Sequence, residues 1–124
     1  MRAMKTLNEV LPPRDTPLGK EIIVKIIRYQ QSSDGGEQLI IHPIKGLDYN
    51  DDLIFPITRT AGDLISSIFP VQAYGVAVLH GKEMRLINME YTVLGYNGNA
   101  FNARSWLPQP MVGKITKGTD WYSI

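Results

Sequence analysis

The run Glu21-Ile22-Ile23-Val24-Lys25-Ile26-Ile27-Arg28-Tyr29 decides the fold. Five of its nine residues (Ile22, Ile23, Val24, Ile26, Ile27) are β-branched, stiff at χ1 and better suited to a pleated strand than to a helix. A period of two puts Ile22, Val24 and Ile26 on one face and Ile23, Lys25, Ile27 and Tyr29 on the other. The first face reads as core. The second is mixed, as expected of a surface partly covered or partly used.

Downstream, turn signals recur at short intervals. Ser32-Ser33-Asp34-Gly35-Gly36-Glu37 is a turn cluster in which Asp34-Gly35 marks a hairpin. A second strand follows over Gln38–His42, ended by Pro43, and a third over Leu53–Ile57, where Pro56 points to a sheet edge or a bulge. Thr60-Ala61-Gly62-Asp63 has the form of a capping box. Leu64, Ile65, Ile68 and Phe69 supply the apolar stripe of a short helix that Pro70 stops. Strands then return over Ala73–His80, bounded by Gly81-Lys82, and over Glu83–Tyr96, where the alternation shifts at Asn88-Met89-Glu90 and predicts a bulge. Asn97-Gly98 is the preferred type I′ dipeptide, so Asn99–Trp106 pairs back and completes a three-strand meander. Pro108 and Pro110 break the ladder, leaving Met111–Ile115 and Asp120–Ile124 as an extension.

Upstream, Pro12, Pro13 and Pro17 make residues 1–18 an arm or leading loop. It has room for one helical turn at Leu7–Leu11, because Thr6-Leu7-Asn8-Glu9 fits a capping box. A single barrel-like domain then spans residues 19–124. The expected class is mainly β: a small OB-like barrel in the order β-β-β-α-β-β plus a C-terminal extension, with one short helix. An SH3-like barrel is the nearest rival, and a sandwich of short strands the next.

A chain of 124 residues accommodates one domain, and 44% apolar with 20% charged residues is a globular composition. With 0 Cys, disulfides, Cys-type zinc sites and thiol catalysis drop out together. No apolar run approaches the roughly 20 residues of a membrane span, and none follows Met1–Thr6. The expectation is a cytoplasmic protein with no membrane partner. The net charge is +1, but acids gather in 34–63 (Asp34, Glu37, Asp48, Asp51, Asp52, Asp63) while bases predominate on either side.

Enzymatic signals are absent. His42 and His80 are the only imidazoles and lack ligand spacing, Asp51-Asp52 reads as a solvated loop, and no GxSxG, P-loop or GxGxxG occurs. No metal, cofactor or catalytic residue is expected. The stronger pattern interleaves bases with aromatics: Lys25, Arg28 and Tyr29 on the first strand, then Arg85, Tyr91, Tyr96, Phe101, Arg104 and Trp106 in the meander, with Lys114 beyond. Such surfaces hold single-stranded nucleic acid by stacking and phosphate neutralisation. This predicts a non-catalytic, homo-oligomeric single-stranded DNA-binding protein using these ten residues. Two points oppose it: strand aromatics fill small barrels, and a charge of +1 falls short of a strongly basic footprint. The alternative is a protein-interaction or assembly module docking through a sheet edge or the C-terminal tail, where Trp121-Tyr122-Ser123-Ile124 is apolar.

Overall fold

The computed structural model describes residues 3–95 and 97–111. Five strands, β1 Glu21–Gln31, β2 Glu37–Lys45, β3 Leu53–Pro56, β4 Glu83–Leu94 and β5 Ala100–Gln109, form one antiparallel sheet in the order β3-β2-β1-β4-β5. The sheet curls into a half-barrel with β1 at its centre. Ile22, Val24 and Ile26 point inward as the alternation requires, and they meet Leu39, Ile41, Leu53, Phe55, Met84, Leu86 and Trp106 in the main core. Burying each of these large apolar side chains is worth roughly 1.5–3 kcal/mol.

Two register slips shape β1. Ile26 pairs with Ile41 but Arg28 with Ile40, so Ile27 is an extra residue on the β1 side. An extra residue reverses the facing of all that follows. Tyr29 therefore packs against the core, while Lys25 and Arg28 share the outer face. The strict period of two, which placed Tyr29 beside Lys25, fails at this bulge. The second slip skips Ile44, since Val24 pairs with Pro43 and Ile23 with Lys45. Pro43 therefore does not end β2: it sits at this slip and beyond the last β3 pair, where the ladder does not need its missing N–H. Pro56 lies on the edge strand β3, as its lack of a donor predicts.

Among the described residues three α-helices accompany the sheet, α1 Leu7–Val10, α2 Arg59–Ile68 and α3 Val71–Tyr74, with a 3-10 turn at Pro13–Asp15. Thr6 and Glu9 close the expected capping box on α1. On α2 the cap is Thr58, whose Oγ1 accepts from the Ala61 N–H at 3.3 Å, and Thr60 is buried inside the helix instead. Residues 73–80 are not a strand. They form the end of α3 and a 3-10 turn, Val76–Leu79, around Gly75. Local bonds close it instead, Gly75 N–H to Val71 C=O at 2.7 Å and His80 N–H to Ala77 C=O at 3.2 Å, and of residues 73–80 only Leu79 is buried. The link still reaches β1, because Gly81 N–H donates to Ile26 C=O and Ile26 N–H to Lys82 C=O, each at 2.7 Å. The meander is thus a two-strand ribbon of β4 and β5. Its ladder runs unbroken from Arg85–Gln109 to Leu94–Ala100, so no bulge occurs at Asn88–Glu90. The alternation breaks there because Ile87 and Asn88, on opposite faces, are both buried.

Asp34-Gly35 and Asn97-Gly98 make the same turn. In each, the glycine N–H donates to the carbonyl three residues back, Ser32 or Gly95, and that residue's N–H donates to the carbonyl of Gly36 or Asn99. Gly35 and Gly98 have φ of 88° and 78°, while neither Asp34 nor Asn97 has positive φ. Each turn closes on a left-handed glycine and is not the type I′ form, which needs positive φ at both central residues. The Asx side chain adds a bond of its own, Asp34 Oδ1 from Gly36 N–H at 3.0 Å and Asn97 Oδ1 from Asn99 N–H at 3.1 Å.

Nothing pairs β3 with β5, so the half-barrel has a seam. Residues 5–17 and α2 fill it. The Ile54 N–H donates to Lys5 C=O at 2.9 Å, and Thr6 bridges Ile54 along the β3 edge. Leu7 is fully buried in the main core, and Trp106 Nε1–H donates to Leu11 C=O at 2.9 Å. The buried Asn88 carboxamide donates to Pro13, Thr16 and Pro17 carbonyls at 3.0, 2.9 and 3.3 Å. Helix α2 straddles β5, with Ala61 and Ile65 in the main core and Leu64 in a second cluster with Tyr91 and Leu107.

The turn and the seam can each be tested by stability. Gly98→Val costs about 1–2 kcal/mol from left-handed backbone strain alone, since an added Cβ meets no atom; a denaturation midpoint unchanged from wild type would discard the turn. Asn88→Ala takes the donor from Thr16 C=O and one of two donors from the Pro13 and Pro17 carbonyls, and costs about 1–3 kcal/mol. Asn88→Asp costs more, because a carboxylate then faces those oxygens, and equal midpoints for the two variants would contradict this anchoring.

Candidate interaction surface

The structure separates the residues that the sequence groups together. Trp106 is 2% exposed and Tyr91 7%, so both are core side chains. Ser105 Oγ donates to the Tyr91 hydroxyl at 3.2 Å. High strand propensity and barrel filling account for both aromatics, and neither offers a ring face to solvent. Tyr29 donates its hydroxyl to Glu37 Oε2 at 2.7 Å, at the rim of a groove of about 340 Å³ between the β1–β2 hairpin and α2. Tyr96 and Lys114 lie outside the described residues. Phe101 alone among the aromatic candidates described is mostly exposed, at 55%.

The cations are also divided. Lys25 and Arg28 stand exposed on the outer face, with Lys45 opposite Ile23. Arg28 Nε donates only to Gln30, and none of the three is ion-paired among the described residues. Arg85 Nη1 lies 3.6 Å from Glu21, with its Nε and Nη2 buried, and Arg104 Nη2 lies 3.6 Å from Glu90. Pairing sets Phe101 opposite Val93 and Arg104 opposite Glu90, so Phe101 and Arg104 project from opposite faces of the ribbon. Among the described residues no stacking platform flanked by free cations results.

What the arrangement does create is an edge. β1 pairs β4 only up to Ile87, and Gly19 and Lys20 extend this to Asn88. Beyond Asn88 the ribbon runs on as two strands. The Gly95–Asn99 bond at the turn fixes the parity of the ladder, so Phe101 and Ala103 bond inward to β4 while Ala100, Asn102 and Arg104 direct N–H and C=O outward. Asn88 independently fits this parity, since its outward groups bond Gly19 and Lys20. No backbone bond among the described residues reaches the outward groups of Ala100 and Asn102. Phe101 and Leu94 are both exposed beside them, and Glu90 and Arg104 neutralise each other lower down. Sequence reading missed Ala100, Asn102 and Leu94 because their role rests on main-chain atoms and on what fails to cover them. The only sequence signal is a hairpin ladder longer than the strand available to flank it.

Among the described residues no group of three or more His, Asp or Glu side chains gathers as a metal site, and no helix is long and apolar enough to cross a membrane. His42 Nδ1 and Asp52 Oδ1 form an isolated pair at 2.9 Å. The sequence matches no model of a known protein family, and a search of curated proteins finds none significantly similar to it.

The Tyr29–Glu37 bond has a pH signature. Its hydrogen bond to Glu37, then desolvation and the carboxylate's charge, raise the Tyr29 pKa above the usual tyrosine value. The folded state therefore favours the protonated phenol. Its contribution is intact below the unfolded tyrosine pKa of about 10 and is lost as pH rises through the raised folded value. Tyr29→Phe should flatten the alkaline fall in stability above about pH 10; wild type and variant declining in parallel would remove Tyr29 as the cause.

Proposed function

We propose that this chain is a non-catalytic protein-interaction module that docks through the free edge of its β4–β5 ribbon. The observation that carries the reading is the pair of outward N–H and C=O sets at Ala100 and Asn102, flanking an exposed Phe101. An unpaired edge accepts an added strand by main-chain bonds, while neighbouring side chains supply selectivity. Interface cores are depleted in charge and enriched in aromatics, and Ala100–Ala103 contains Phe101 and no charged residue. The half-barrel itself we read as a partly open OB-like barrel with its helix between the third and fourth strands. In that class the loops joining strands one to two and four to five engage ligands, and here the second is the ribbon turn.

Single-stranded DNA binding is the second reading, favoured by Lys25, Arg28 and Lys45 as unpaired cations on one outer face. Their affinity for phosphate would fall steeply with salt, whereas strand addition would not. The test is an amide chemical-shift titration with two probes, an extended peptide alternating Thr and Val, and oligo-dT. The peptide should shift the Ala100–Asn102 amides equally at about 20 and 300 mM salt, and Asn102→Pro should abolish this. Asn102→Pro removes an outward donor while sparing the β4 ladder. Peptide shifts absent from Ala100–Asn102, with salt-sensitive oligo-dT shifts at Lys25 and Arg28, would overturn edge docking in favour of DNA.

A further inference from the structure

We infer that the ribbon edge takes a second copy of this chain, paired antiparallel, strand to strand, about a two-fold axis at Phe101. The inference rests on the edge-docking reading and names its partner. An antiparallel pair centred on Phe101 sets Ala100 opposite Asn102 of the partner subunit, and Asn102 opposite Ala100 of the partner subunit. These are the residues whose main-chain groups point outward, so each pairing exchanges two bonds and the edge closes with four. No other residue placed on the axis satisfies these groups while drawing on the exposed stretch alone. Centring on Asn102 instead would carry the partner's turn to Ser105 and Trp106, which share a crevice with Thr58 and Ala61 of α2.

Side chains agree with the same register. Phe101 meets the partner's Phe101 in a non-hydrogen-bonded pair, where Cα atoms approach to about 4.5 Å and cross-strand aromatic contacts are closest. This covers the most exposed large apolar side chain of the ribbon. Asn99 and Ala103 face each other on that side, small enough to leave room for both rings. Arg104 falls opposite the partner's Gly98, so no like charges are opposed. A two-fold contact must be self-complementary in this way. The other ribbon edge is less suited: on β4 the equivalent central residue, Val93, is already packed against the Leu64–Tyr91–Leu107 cluster.

Seven residues a side, 98–104, fall well below the roughly 800 Å² per partner of a standard stable interface. The pairing is therefore weak and reversible, populated at high protein concentration or where copies are held close together.

The chain has no cysteine, which permits a register-specific test. Ala100→Cys and Asn102→Cys full-length chains are mixed in equal amounts and mildly oxidised. The axis at Phe101 places the thiol introduced in one variant directly opposite the thiol introduced in the other. Each variant alone sets its two thiols on a diagonal of about 7–8 Å, beyond ordinary disulfide reach. The mixed disulfide should exceed either homodisulfide by roughly tenfold, reflecting the effective concentration of paired strands. Sedimentation should show a concentration-dependent dimer that Phe101→Asp abolishes. A statistical mixture of disulfides, or a wild type monomeric at millimolar concentration, overturns self-pairing. If the Thr/Val peptide still shifts Ala100–Asn102 in that case, edge docking stands with a different partner; if it does not, both fall.

Discussion

A five-strand sheet that curls without closing leaves an open seam between its two edge strands, and the rest of this protein is organised around filling it. The β3 edge receives Lys5 and Thr6, the floor of the seam receives Leu7, and α2 covers part of β5. None of these pieces has much stability alone. Helix α1 is four residues long and α2 ten, lengths that are marginal in water without tertiary contacts. Residues 11–17 hold because Trp106 and Asn88 donate to their carbonyls, in a segment that Pro12, Pro13 and Pro17 keep out of any ladder and that turns through a short 3-10 helix at Pro13–Asp15, while α2 holds by burying Ala61, Leu64 and Ile65. Filling the seam leaves the outward groups of Ala100 and Asn102, at the outer end of the ribbon, without a backbone partner among the described residues.

Much of the architecture was legible in the residues, and each failure has a physical source. The central strand was readable because β-branched density and alternation agree in Ile22–Ile26, and α1 because its capping box is complete in four residues. The segment 73–80 misled because Val76 and Val78 carry strand propensity that the local turns around Gly75 override. The Tyr29 face was misassigned because a bulge adds one residue without any mark in composition. Asn97-Gly98 signalled a hairpin correctly, but the dipeptide does not distinguish a type I′ turn from one in which the glycine alone is left-handed.

The candidate surface was less legible than the fold. Aromatics and bases interleave in the sequence of β4 and β5, yet pairing sends alternate residues to opposite faces, and the core claims the largest rings. Tyr91 and Trp106 then explain stability rather than recognition. The charges behave alike: Arg85 and Arg104 each have an acid within reach, and the cations left over, Lys25, Arg28 and Lys45, lie on β1 and β2, away from the exposed Phe101. Spacing along a chain reports proximity; only register reports which groups face a partner together.

Amide hydrogen exchange along β5, followed as a function of protein concentration, tests the open ribbon edge most directly. The inward N–H groups of Phe101 and Ala103 should be protected at every concentration, because β4 holds them. The outward N–H groups of Ala100 and Asn102 should exchange rapidly in dilute solution and gain protection as concentration rises. Protection of Ala100 and Asn102 that is independent of concentration, or exchange at Phe101 and Ala103 as fast as at their neighbours, would contradict it.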